Sequence, residues 1–419
     1  MVGQDLIVCL DPEVNSFVFQ QEERLFQCWY PDSFMRIIGA DNIITTLGSS
    51  HKYIRNLILR LFGPENLRRA MLQDVHRTAQ ASLLSWLDRP SIELKDAVSS
   101  VSMCELTLTR ENLSMFQMIF SVTAKKLISY DSLASDGKMW KQFDAFIRGL
   151  LAFPIGIPGT AFYKCMQGRK NIMKMLKELI DERKEASGRR GSIDFIDVLL
   201  EELNEEKPLI SENVALDLIF LLLFASFETT ASAITAVVRF LTDNPEALQE
   251  LAEEHDNIQK RRVDLNSEIT WEEYKSMKFT SHVYDLKFLK HYLYKRSAIL
   301  AHTLISLIIR FFIPKGSKIM ICPSTVHLNP MIYKDPNIFN PWRWKDTAEP
   351  TGGASKDFMA FGGGLRLCVG ADFAKLQTAI FLHCLVTKYR WKAIKGGTMV
   401  LGPGLRFPEG FHIQLFPKP

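Results

Sequence analysis

Apolar positions recur with helical spacing along residues 64–87, 138–151, 164–187, 193–204, 211–242 and 245–262, with Gly and Pro clusters between them. The chain therefore reads as mainly helical. Leu6 to Leu10 is a short apolar run that predicts a strand. Asp11-Pro12-Glu13 then opens a helix through Gln20, with Pro at the first helical position and an acid near the positive dipole end. After Ile313 the period changes, and short β-like pieces alternate with turns: Lys318 to Cys322, Phe339-Asn-Pro-Trp-Arg-Trp344 and a last strand His412 to Phe416. Phe153 to Tyr163 is apolar yet broken by two prolines and two glycines, which predicts an exposed greasy loop. Glu182 to Arg190 is charged and turn-rich, a solvated connector rather than a domain boundary. No internal repeat is visible.

Composition narrows the class. Of 419 residues 47% are hydrophobic, enough for a large core and too many for a disordered chain. The net charge of +4 is too small for a nucleic-acid binder held by charge. Seven scattered cysteines without CxxC spacing indicate neither a disulfide framework nor a zinc knuckle and point to a reducing compartment. The apolar stretch Ser297 to Ile313 is interrupted by His302 and Arg310 and falls short of the roughly 20 residues a bilayer span needs. No transmembrane span or signal peptide is predicted.

The most specific segment is Phe358-Met-Ala-Phe361-Gly-Gly-Gly364-Leu-Arg366-Leu-Cys368-Val-Gly370, followed by an apolar helix from Ala371 to about Lys388. A glycine-rich loop here delivers one thiol to a helix N-terminus, where the dipole and free N–H groups favour the thiolate, a metal ligand. Glycines let the backbone pass close to a flat group, and Arg366 suits a carboxylate-bearing cofactor. A buried free cysteine beside a turn is the plain alternative for a lone Cys. A second feature is the helix over 211–242, whose apolar run carries Glu228 and Thr229 at its middle. Leu222, Ala225, Thr229, Ser232, Ala233 and Ala236 share one face, and most are small. Either a flat ligand lies there, or the helix packs closely, with Thr229 bonded back to the Ala225 carbonyl and Glu228 in an ion pair.

The cysteine segment resembles the fingerprint F-x-x-G-x-R-x-C-x-G of the haem-thiolate monooxygenases, the cytochrome P450 superfamily. The resemblance implies haem b, with Cys368 as axial iron ligand, Phe361, Gly364 and Gly370 shaping its bed, and Arg366 on a propionate. Ala225 to Thr230 is similar to the family's A/G-G-x-D/E-T-T/S motif, with Ser226 where Gly is usual. That implies Thr229 and Glu228 as the pair that manages protons for O–O cleavage. His51-Lys-Tyr-Ile-Arg55 resembles W-x-x-x-R, implying Arg55 and His51 on the other propionate. Phe339 to Trp344 resembles F-x-P-x-R-W, whose arginine, here Arg343, joins the Glu and Arg of an E-x-x-R helix.

That partner motif cannot be placed, because no glutamate occurs from Tyr274 to Ala348. Segment 284–312 departs from the family pattern where it normally carries part of the substrate wall and strands of the small sheet. Segment 103–117 reads as an insertion, and the chain starts where the family is already at an early strand, without counterparts of the anchor and first helix.

The expectation is one haem-thiolate domain over 1–419, mainly α with a small β region. By resemblance to the plant clan acting on steroids and triterpenoids, including hydroxylases of cucurbitane-type skeletons, it hydroxylates an apolar terpenoid. Electrons come from NADPH through NADPH-cytochrome P450 reductase, at the cytosolic face of the endoplasmic reticulum, with peripheral membrane contact, a monomeric state and no nucleic acid. The alternative is a non-catalytic family member unable to hold haem without E-x-x-R, since an unpaired buried Arg343 costs roughly 3 to 5 kcal/mol. A cysteine-nucleophile hydrolase would need a partner histidine, and His383 stands at no telling spacing.

Overall fold

The structure, a computed structural model, describes residues 6–39, 43–99, 118–130, 138–150, 152–185, 194–264, 267–291, 297–301, 313–344, 356–401 and 405–418. The expected insertion at 103–117 lies outside them, as do 292–296 and 302–312 of the second atypical segment. The chain divides into two compact units: Met1–Tyr30 with Ile58–Leu94 and Ser232–Pro419, and Pro31–Leu57 with Lys95–Ala231.

Among the described residues, all strands lie in the first unit. They are β1 (Leu6–Cys9), β2 (Phe26–Cys28), β3 (Ile92–Glu93), β4 (Ser297–Ala301), β5 (Lys318–Ile321), β6 (Tyr389–Gly396), β7 (Val400–Leu401), β8 (Leu405–Arg406) and β9 (Phe411–Pro417). The order β1-β5-β4-β2 makes one sheet, with β1 parallel to β5 and β4 antiparallel to both its neighbours. The atypical segment thus supplies an interior strand of the small sheet, contrary to the sequence expectation. Ladder hydrogen bonds run through the backbone, so Ser297-Ala-Ile-Leu-Ala301 pairs without a family signature.

Local chemistry starts the helices where the pattern predicts. Asp11 accepts from the N–H groups of Glu13 at 2.8 Å and Val14 at 3.0 Å, capping Pro12–Gln20. The helix predicted over 64–87 is interrupted: a π-turn at Leu67–Met71 separates Pro64–Asn66 from Leu72–Ser85. Phe339 to Trp344 is no strand but ends in a 3-10 turn at Pro341–Trp344, because Pro341 presets φ and the Asn340 side chain takes the Trp342 N–H at 3.1 Å.

Ala371–Lys388 is apolar nearly all round, with Phe373 and every residue from Leu376 through Val386 buried. Phe62 stacks obliquely on its Phe373 at 4.9 Å between centroids. Its polar residue His383 meets His255 of the Pro245–Lys260 helix, Nδ1 to Nδ1 at 2.9 Å. His255 Nε2 faces Thr280 Oγ1 at 3.0 Å, and that hydroxyl donates to Glu254. The hydroxyl proton points at Glu254, so His255 donates through Nε2, and His383 Nδ1–H donates to His255 Nδ1. Burial pushes the pKa values of both rings well down, and that of nearby His76 to about 4. His383 is therefore a core residue.

Among the described residues, the regular elements of the second unit are all helices. Its core is aromatic: Phe120, Trp140, Phe143 and Phe227 meet edge to face at 5.0 to 6.0 Å, and Phe143 stacks on Phe220 at 5.7 Å. Lys138–Gly149 and Ala161–Glu185 approach closely at Gly149, where a Cβ would lie 2.1 Å from the Ala161 carbonyl oxygen. The predicted loop before Ala161 is exposed, Phe153 at 77% and Ile157 at 62%. It ends at Thr160, whose hydroxyl accepts from the Tyr163 N–H at 3.2 Å and starts the helix earlier than the apolar pattern implies. Glu212–Asp243 is, among the described residues, the one helix long and apolar enough to cross a membrane. With 67% of its apolar window buried it reads as a core helix.

Candidate active site

In the first unit, the Cys368 N–H donates to the Phe361 carbonyl at 2.9 Å, folding 361–368 into a closed loop. The loop requires glycine at two places: Gly362 has φ +83, and Gly364 has φ +57 with the Phe19 carbonyl oxygen 2.2 Å from where a Cβ would be. The Met359 N–H donates to Nε2 of buried His327 at 3.0 Å, so that ring carries its proton on Nδ1. His327 is a support that sequence reasoning missed.

Cys368 is half-buried, with a free thiol, one turn ahead of Ala371–Lys388. Gly370 caps that helix, and a Cβ there would meet nothing within 4 Å. Two residues after the thiol the backbone thus borders open space, where a flat cofactor fits. Arg366, expected on a propionate, donates through Nε to Glu22 Oε1 at 2.6 Å. Lys375 lies over the Phe361 ring at 5.6 Å and pairs with Asp285 at 3.4 Å. The lone acid of the atypical segment thereby joins it to the helix behind the cysteine. The Arg343 guanidinium donates to the carbonyls of Asn340, Asp335 and Ile338 at 3.0 to 3.3 Å. Backbone oxygens therefore meet the charge where no glutamate stands from Tyr274 to Ala348 to supply the E-x-x-R pair, and burial lowers its pKa.

In the second unit, the 225–229 turn presents an exposed Ala225 and a half-buried Thr229 between buried residues of the helix. Leu222, Ser232, Ala233 and Ala236, expected on the same face, are buried. Thr229 Oγ1 donates to the Ala225 carbonyl at 2.9 Å and Ser226 Oγ to that of Leu223 at 2.9 Å. Glu228 Oε1 takes Lys95 Nζ at 2.6 Å, their side chains 26% and 20% exposed. No local sequence signal could have found Lys95. His51 is buried and Arg55 half-buried, one turn apart on Gly48–Phe62.

The sequence matches the family model "Cytochrome P450" over residues 1–403. The chain belongs to the cytochrome P450 family. It is similar to Cytochrome P450 87A3 of Oryza sativa subsp. japonica, 50% identical over 421 residues covering 100% of this chain and 78% of the relative. It is also similar to Cucurbitadienol 11-hydroxylase of Siraitia grosvenorii, 36% identical over 423 residues, 100% of this chain and 84% of that protein. The solved structure of a retinoic acid bound cyanobacterial cytochrome, CYP120A1, shares the fold with a TM-score of 0.85 at 23% identity, covering 100% of this chain and 90% of that one. As a P450 the chain is a monooxygenase-type oxidoreductase, and membership implies haem. The half-buried thiol and the open flank of Gly370, both in the first unit, fit that group.

Proposed function

We propose that this P450 hydroxylates a large apolar terpenoid, a triterpenoid or sterol, as one haem-thiolate domain. It works with electrons from NADPH delivered by NADPH-cytochrome P450 reductase. The observation that carries the reading is the closed loop that sets Cys368 just ahead of a buried helix whose cap, Gly370, borders open space. The names of the relatives, Cucurbitadienol 11-hydroxylase among them, support the substrate class. So does the Beta-amyrin 16-alpha-hydroxylase of Maesa lanceolata, 35% identical over 421 residues, 100% of this chain and 84% of that protein.

Haem b, when bound, supplies the oxygen and electron chemistry. The chain's residues hold and aim. Cys368 Sγ would hold the haem iron, and Arg366, Arg55 and His51 would answer the haem carboxylates. Glu228 takes and releases protons at its carboxylate, and Thr229 Oγ1 hands them on by swinging from the Ala225 carbonyl. Lys95 Nζ holds and orients that carboxylate from 2.6 Å. Half-buried Phe224 and exposed Ala225 offer an apolar surface that selects by shape. Exposed Phe153, Ile155 and Ile157 support peripheral contact with the endoplasmic reticulum membrane at its cytosolic face. The monomeric state belongs to the same proposal.

The test is a reduced carbon-monoxide difference spectrum of the chain and of Cys368→Ser. A thiolate-type Soret band present in the chain and lost in the variant is expected, followed by a hydroxylated product from triterpenoids with reductase and NADPH. A chain that folds yet takes up no haem overturns the reading.

A further inference from the structure

The Pro12–Gln20 helix and the turn after it hold the cysteine loop at two points. Phe19 lies under the loop, its ring 2.8 Å and its carbonyl oxygen 2.2 Å from where a Cβ on Gly363 or Gly364 would sit. Three residues later Glu22 reaches Arg366 at 2.6 Å, across 344 positions of sequence. The Glu22 side chain is 1% exposed and that of Arg366 14%. Among the described residues no donor reaches the buried second oxygen, Oε2. Leaving part of a buried carboxylate unsatisfied costs free energy. The contact is made through Nε to one oxygen, not as a two-pronged fork, and a guanidinium has five N–H donors in a fixed plane. Cys28 and Tyr30 border the pair and hydrogen-bond each other; burial pushes both pKa values up, so both stay neutral and add no charge.

We infer that Glu22 is a positioning residue for the cofactor. It locks the Arg366 guanidinium in the orientation that receives a haem carboxylate and keeps a buried negative charge on that side of the haem. This rests on the haem-thiolate reading above. Two effects follow. Fixing Arg366 slows haem loss, and the nearby negative charge disfavours the reduced haem, which holds one more electron.

The test uses the full haem-loaded chain and Glu22→Gln, which keeps shape and removes the charge. Haem transfer to excess apomyoglobin is expected to quicken about tenfold. The ferric/ferrous equilibrium, followed by spectroelectrochemical titration, is expected to shift about tenfold toward reduction, ~59 mV upward, with the thiolate-type band intact. Both quantities within twofold of the parent overturn the inference while leaving the haem reading standing. A parent chain that binds no haem overturns both. Should Glu22→Gln fail to fold, Glu22→Asp keeps the charge and shortens its reach. Faster haem loss at an unchanged potential supports the positioning role, and parent-like haem loss overturns it.

Discussion

In the 358–370 loop the decisive constraints lie within the segment. Positive φ at Gly362 and Gly364, the Cys368 N–H on the Phe361 carbonyl and the helix opening at Gly370 are neighbours in sequence. In the 225–229 turn the local contacts are those of any helix: Thr229 and Ser226 bond back to carbonyls of the preceding turn. What sets that turn apart comes from Lys95, 133 residues away. The difference teaches where sequence reasoning succeeds. A loop that needs glycine at named positions writes its geometry into composition, whereas an ion pair between distant helices leaves no local mark.

The comparison breaks most sharply at Gly364. Gly364→Ala places a methyl against the Phe19 carbonyl in a left-handed backbone, and a loss of about 4 kcal/mol in urea unfolding is expected. Gly370→Ala, with nothing within 4 Å of the new methyl, is expected to unfold within ~0.5 kcal/mol of the parent yet take up less haem.

Acid attacks the loop-bearing unit next. His76, His255 and His383 are held neutral by burial, with folded pKa values below the ordinary 6.5. As pH falls through 6.5 the unfolded chain binds protons that the folded chain refuses. Stability is therefore fully present above that value and lost below it. Unfolding free energies from urea titrations at pH 8 and pH 6 should differ by ~2 kcal/mol for the three rings together, and His76→Gln should reduce the difference.

Smaller effects are expected in the helical unit. Lys95→Met removes the partner of a partly screened carboxylate and costs ~1 kcal/mol by the same assay. It also lowers the hydroxylation rate, as Glu228 loses the partner that orients it; Lys95→Arg restores both. Thr229→Val changes stability by no more than ~0.5 kcal/mol, but product formed per NADPH consumed should fall severalfold. Unchanged coupling would remove Thr229 from the proton path.

Much of the molecule was legible beforehand. The helical periods, the Asp11-Pro12 start, the exposed 153–160 loop and the cysteine loop follow from spacing, capping chemistry and glycine sterics over a few residues. Three expectations met a different outcome for reasons of longer range. Segment 284–312 contributes a strand, because strands on either side offer backbone edges to pair. Phe339 to Trp344 turns, because Pro341 and Asn340 outweigh the β-like pattern. Arg343, which lacks its expected E-x-x-R partners, is met by three backbone carbonyls that sequence does not display.

The sequence by itself determined the family, the identity of the thiol and the glycine-shaped loop, since these depend on residue type and short spacing. Only the tertiary structure decided which charges meet: Glu22 on Arg366, Lys95 on Glu228, Asp285 on Lys375. Coulomb attraction acts through space and is strengthened by burial, and neither separation nor burial is written in the order of the residues.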